Sequence, residues 1–221
     1  MTKTGEAARP PMDLDTDSMI DTLKAKSREI TIGAIVVVAA AGGIWLWRES
    51  EQKKSERADA ALNAASNAFY SGNLALAETD LKKVVERYAG TTAGTEASMM
   101  LAQTLYATQK YDDGIKVLVA ARSTGSGTPF GAAIEGLIAT GNLDAKKYDE
   151  AIKHYLAAAD KAQFPADKDM FRADAARAMM VAGKKDDAKK IWAELASKLD
   201  SPNLGEAKIR LGELEATPAK N

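Results

Sequence analysis

A small residue recurs at a constant interval of 37 along the chain, at Ala77, Gly114, Ala151 and Ala188. Each closes a similar turn: GNLALA over 72–77, QKYDDG over 109–114, KKYDEA over 146–151 and GKKDDA over 183–188. The register persists away from the turns. Twelve residues earlier stand Ala65, Ala102, Ala139 and Ala176; four later stand Leu81, Leu118, Tyr155 and Trp192; seven later stand Val84, Ala121, Ala158 and Leu195. Self-similarity at such a period signals stacked supersecondary units. A small residue lets paired helices approach, and the large residue one turn later fills the space against the next pair. Each unit is therefore predicted as a helix hairpin that cannot bury its apolar face alone.

Helix breakers fall between the units: Gly90 after the first, Gly125, Gly127 and Pro129 after the second, Pro165 after the third and Pro202 after the fourth. A last helix from about Pro202 to Ala216 carries Leu204, Ala207, Leu211 and Leu214 on one face, the pattern of a solenoid cap. The predicted fold is all-α, with one transmembrane helix followed by an α-solenoid of about four hairpins and a C-terminal capping helix.

The transmembrane prediction rests on residues 30–47 (ITIGAIVVVAAAGGIWLW), which contain no charge. As a helix they extend about 27 Å, close to the roughly 30 Å of a bilayer core. A soluble core helix would show a polar stripe, and only Thr31 is available. A cleaved leader fits poorly, because acids precede the run and apolar residues continue past Ala39, Ala40 and Ala41. Trp45, Trp47 and Arg48 close the segment as interfacial residues do. Lys24, Lys26 and Arg28 lie before it, and Arg48, Lys53, Lys54 and Arg57 after it, so charge leaves the orientation open.

The rest of the chain falls into place around these features. Residues 1–29 form a tail, disordered first and then a short amphipathic helix capped by Asp17 or Ser18. Asp13, Asp15 and Asp17 imitate a calcium loop but lack its central Gly and final Glu, where Ser18 and Lys24 stand. Residues 48–57 read as a polar helical stalk, 58–216 as the repeat domain and 217–221 as a disordered tail. A net charge of -1 gives no footprint for nucleic acid, and the absence of cysteine excludes disulfides and thiol chemistry.

The pattern of small residue, Tyr-containing turn, large residue and proline resembles the tetratricopeptide repeat over 58–216, with a longer step than is usual there. Loosened repeats behind one N-terminal anchor resemble the YfgM family, the ancillary subunit of the bacterial SecYEG translocon. Trp45-Leu46-Trp47-Arg48 and the stretch from Glu96 to Gln103 (EASMMLAQ) carry that similarity. The resemblance implies a single-pass inner-membrane protein with its N-terminus cytoplasmic and its repeats periplasmic. It also implies translocon subunits, secreted clients or periplasmic chaperones as partners.

No catalytic constellation is visible. His154 is the single histidine, the glycines of STGSGTP lack a phosphate-loop lysine, and the carboxylates alternate with lysines as on a solvated face. We expect no enzyme activity, no cofactor, no metal and no small-molecule substrate. Binding is expected on the first helix of each unit, at positions 15, 11, 8 and 7 before the small residue. These are Leu62, Ser66, Phe69 and Tyr70; Met99, Gln103, Tyr106 and Ala107; Gly136, Thr140, Leu143 and Asp144; and Ala173, Arg177, Met180 and Val181. Methionine-containing apolar grooves adapt to several partners; the alternative for Phe69, Tyr106 and Met180 is packing between neighbouring helices. One reading is a chaperone-like adaptor for apolar segments near the translocon. The alternative is a non-catalytic structural subunit of a large membrane complex, with Ala39 and Gly43 seating the anchor on a neighbouring helix.

Overall fold

The computed structural model describes residues 27–123 and 130–216, and their regular structure is entirely helical. The tail over 1–26, the linker at Gly125, Gly127 and Pro129, and residues 217–221 lie outside the described residues. The chain divides into two compact units, Met1–Gln52 and Lys53–Asn221.

Helix α1 (Ser27–Tyr70) supplies the described part of the first unit. Its described side chains from Thr31 to Trp47 are exposed, with Val36, Val38, Trp45 and Trp47 among the largest. None of this apolar surface is used in a protein core, which removes the core-helix reading. Among the described residues it is one helix long and apolar enough to cross a membrane.

The second unit begins with residues 53–70 of α1. It continues through α2 (Leu74–Tyr88), α3 (Thr92–Ala107), α4 (Tyr111–Ser123), α5 (Gly131–Asp144), α6 (Tyr148–Lys161), α7 (Pro165–Val181), α8 (Lys185–Ser197) and α9 (Leu204–Ala216). Helices α1 and α2, α3 and α4, α5 and α6, and α7 and α8 form the four hairpins that the sequence period predicts. All sixteen register residues, from Ala65 to Leu195, are buried. Helix α9 packs on α8, burying Ala207 and laying Leu214 against the last core cluster.

One turn geometry serves every hairpin. Gly72, Gln109, Lys146 and Gly183, again 37 apart, all take the left-handed conformation, with φ of 75°, 61°, 60° and 76°. The amide after each donates to a carbonyl five residues back: Asn73 to Ala68, Lys110 to Leu105, Lys147 to Asn142 and Lys184 to Met179, at 2.8–3.0 Å. This is the Schellman closure, which satisfies the last carbonyls of the first helix. Gly72 and Gly183 adopt it freely, whereas Gln109 and Lys146 do so against a side-chain penalty of about 1–2 kcal/mol.

A ladder of ion pairs crosses the joints between units. Lys110, Lys147 and Lys184, each four residues before the small residue, reach back to Glu78, Asp112 and Asp149 of the preceding unit at 2.8, 2.6 and 2.7 Å. The partners are substantially exposed, so each pair contributes on the order of 1 kcal/mol or less. The repetition of the ladder marks the common register of neighbouring turns.

Candidate protein-binding surface

Helical geometry decides which residues of the first helices face outward. Positions 18, 14, 11 and 7 before the small residue follow the 4-3-4 spacing of one helix stripe, and none of the sixteen side chains there is buried. The outward stripe is Asp59, Asn63, Ser66 and Tyr70 on α1; Glu96, Met100, Gln103 and Ala107 on α3; Ala133, Leu137, Thr140 and Asp144 on α5; and Met170, Asp174, Arg177 and Val181 on α7. Helices α3 and α5 lie directly against each other.

The residues singled out by sequence divide accordingly. Tyr70, Gln103, Thr140 and Arg177 lie on the outward stripe, and Tyr70 is 78% exposed. Leu62 is buried in the cluster that joins the first two hairpins. Phe69 lies partly buried against that cluster, with its ring edge-on to Tyr70 at 5.5 Å. Met99 and Met180 are likewise half-buried against neighbouring clusters, as are Met100 and Leu137 of the stripe itself. Tyr106 belongs to the core, 9% exposed. The second position of the expected pattern is thus outward, while its first and third turn toward the joints.

Tyr106 and Phe171 explain three glycines inside helices. A Cβ built on Gly114 would fall 2.5 Å from Tyr106 Cε1, and one on Gly141 would fall 2.5 Å from Tyr106 Cζ. The phenol ring of α3 is therefore clasped by glycines of α4 and α5. A Cβ on Gly136 would lie 2.6 Å from Phe171 Cε1, so α7 docks on α5 in the same manner. Sequence reasoning placed Gly136 in the groove. Its signal was available: glycine inside a helix costs about 1 kcal/mol unless close packing requires it.

The Tyr106 hydroxyl is buried and makes no hydrogen bond among the described residues. Burial, foremost, and the nearby Asp144 charge push its pKa upward. Replacing a buried, unpartnered hydroxyl by hydrogen removes a desolvation cost. Tyr106→Phe is therefore expected to preserve or raise stability by about 1 kcal/mol, read as the midpoint of a urea or thermal melt.

The polar groups around the stripe are mutually engaged at its C-terminal end. Arg177 donates from Nε to Glu206 Oε1 at 2.9 Å and also pairs with Asp174. Burial raises the Asp174 pKa against the pull of Arg177, while Arg177 lowers that of Glu206. Thr140 Oγ1 and the Tyr155 hydroxyl lie 3.1 Å apart. Arg177 is thus a neutralised structural cation.

A second ionic centre, missed in the sequence, lies where α4, α5 and α6 meet. The Glu135 side chain is 3% exposed. It accepts hydrogen bonds from Arg122 at 2.9 Å, from Lys161 at 2.5 Å and from His154 Nδ1 at 2.7 Å when that nitrogen carries the proton. Burial alone would raise the Glu135 pKa, but bonds from Lys161, His154 and Arg122 outweigh it and lower the pKa to about 2. His154 is accordingly a half-buried packing residue. Among the described residues no group of His, Asp and Glu assembles a metal site.

The hairpin register, the common turn and the capping helix specify a repeat solenoid, and a tetratricopeptide repeat-like domain family matches residues 23–216. The chain belongs to that family. Among solved structures, TPR-like repeats of a putative kinesin light chain from Podosopora anserina superimpose with a TM-score of 0.59 at 14% identity, covering 72% of this chain and 86% of that one. A variant of the same protein gives 0.58 at 16%, covering 72% and 85%. The apo form of RapI gives 0.58 at 12%, and the match covers 74% of this chain and 49% of RapI. These likenesses show the fold. No curated protein matches the sequence. A tetratricopeptide-like domain is a protein–protein interaction module and typically a non-catalytic scaffold.

Proposed function

We propose that this tetratricopeptide-like protein is a membrane-anchored adaptor whose first-helix stripe holds exposed apolar segments of secreted or membrane proteins. The observation that carries the reading is the set of sixteen unburied positions recurring every 37 residues, which includes Tyr70, Met100, Leu137, Met170 and Val181. A row of partly exposed Met, Leu and aromatic side chains suits segments that differ in sequence. Residues 30–47 serve as the anchor, with the N-terminus cytoplasmic and the repeats (58–216) periplasmic beside the Sec translocon, as the likeness to the YfgM family suggests. Confinement to a membrane surface raises the local concentration of emerging chains, so weak affinities suffice.

The test is a photocrosslinking amino acid placed at Met100 or Gln103 in cells that are actively exporting protein. Crosslinks to several secreted or membrane chains, lost when export is blocked, are the expected result. Capture of one membrane-complex subunit in fixed stoichiometry, independent of export, would replace the adaptor with a structural subunit. Ala39 and Gly43 support that second reading, because small residues four apart on a helix let a neighbouring helix approach closely.

A further inference from the structure

In the first three hairpins charge is segregated between the two layers of helices, whereas α7 of the fourth carries Lys168, Arg172 and Arg177. From Ala58 to Tyr70, across α3 and across α5, there is no Lys or Arg, whereas acids stand at Asp59, Glu96, Glu135 and Asp144. The second helices carry their acids beside lysines of the same helix, as in Asp80–Lys83, Asp113–Lys116, Glu150–Lys153 and Asp187–Lys190. Those faces are self-neutralised.

On the outward stripe, Asp59, Glu96 and Asp144 make no ion pair among the described residues, and the cation Arg177 is already held by Asp174 and Glu206. The field of Asp144 extends to the buried phenols of Tyr106 and Tyr155. Between the acids lie the exposed or half-exposed Tyr70, Met100, Leu137, Met170 and Val181. A surface with unpaired acids set among apolar groups favours a partner of the opposite pattern.

We infer that the stripe selects cationic amphipathic segments, in which Lys or Arg flanks an apolar face, over uncharged or acidic apolar segments. The inference rests on the groove proposed above and names the class of chain that the groove prefers. Anionic lipid and nucleic acid are repelled by the same unpaired acids, which leaves a polypeptide as the occupant.

The experiment uses the full chain in nanodiscs of zwitterionic lipid and three fluorescent helical peptides of equal length: Leu/Lys, Leu/Gln and Leu/Glu. The Leu/Lys peptide is expected to bind about tenfold more tightly than either twin, and to weaken several-fold between about 50 and 300 mM salt as the charges are screened. The triple variant Asp59→Asn, Glu96→Gln, Asp144→Asn changes only exposed or half-exposed side chains. Its thermal melt is expected to match that of the parent while the preference for Leu/Lys disappears. Equal binding of Leu/Gln overturns the charge selection and leaves the groove standing. A preference that survives the triple substitution moves the site off this stripe and overturns the inference. Failure of all three peptides to bind overturns the groove itself.

Discussion

Replacing Glu135 by glutamine is expected to destabilise the repeat domain by about 2–3 kcal/mol, which for a unit of this size lowers the melting midpoint by roughly 5–10 °C. The substitution keeps the shape of the side chain and removes its charge from among Arg122, His154 and Lys161. Removal of one partner from a fully buried pair costs about 3–5 kcal/mol. Here Arg122 and Lys161 remain 40% and 44% exposed, so water recovers part of that. The pH dependence identifies the cause. The folded-state pKa of about 2 lies below the ordinary value of 4.5, so the stabilisation is fully present above about pH 5 and drains as pH falls toward 2. The gap in melting midpoint between parent and Glu135→Gln should be constant from pH 7 to about 5.5 and close at lower pH. A gap as wide at pH 3 as at pH 7 would mean that shape, not charge, was lost, because a carboxylate with a folded pKa of about 2 has given up more than half of its stabilisation by pH 3.

Valine at Gly141 should cost about 3 kcal/mol, at the upper end of what overpacking a core produces. The Tyr106 ring has little room to retreat from the added atoms, because Gly114 lies against the same Cε1 edge. Outside such a clasp, a side chain at a helix glycine is favourable by up to about 1 kcal/mol. Gly212→Ala on α9, where no atom lies within 4 Å of the new Cβ, provides that contrast and should stabilise slightly. Combining Gly141→Val with Tyr106→Leu should cost less than the sum of the two single changes, since each relieves the crowding of the other. Denaturant melts of the parent, the two single variants and the double variant measure this directly, and strict additivity would show that the clasp is not shared.

The legible part of this protein was whatever repeats. The interval of 37 located four hairpins, sixteen buried positions and the cap, because each unit solves the same packing problem with the same residue types. The outward stripe was less legible. Neighbouring rows on a helix differ by one residue, and an alanine-rich sequence shows little contrast between them. Leu62 was expected in the groove and Tyr106 either there or packed between helices, and their burial depends on what the adjoining unit presents. The Glu135 centre was not legible at all. Its partners lie 13, 19 and 26 residues away on two other helices, and nothing local in GAAIEGL sets this glutamate apart from a surface one.

The lysine ladder and the aromatic clasps place different information at the joints. Every rung pairs a lysine with a carboxylate, Glu78 one residue after the small residue and Asp112 and Asp149 two before it, so the rungs carry little information about which neighbour follows which. Tyr106 on Gly141 and Phe171 on Gly136 each occur at one joint only. The ladder is therefore a generic fastener that permits units to be gained or lost by duplication, whereas the clasps are keyed and fix the order of the units that now exist.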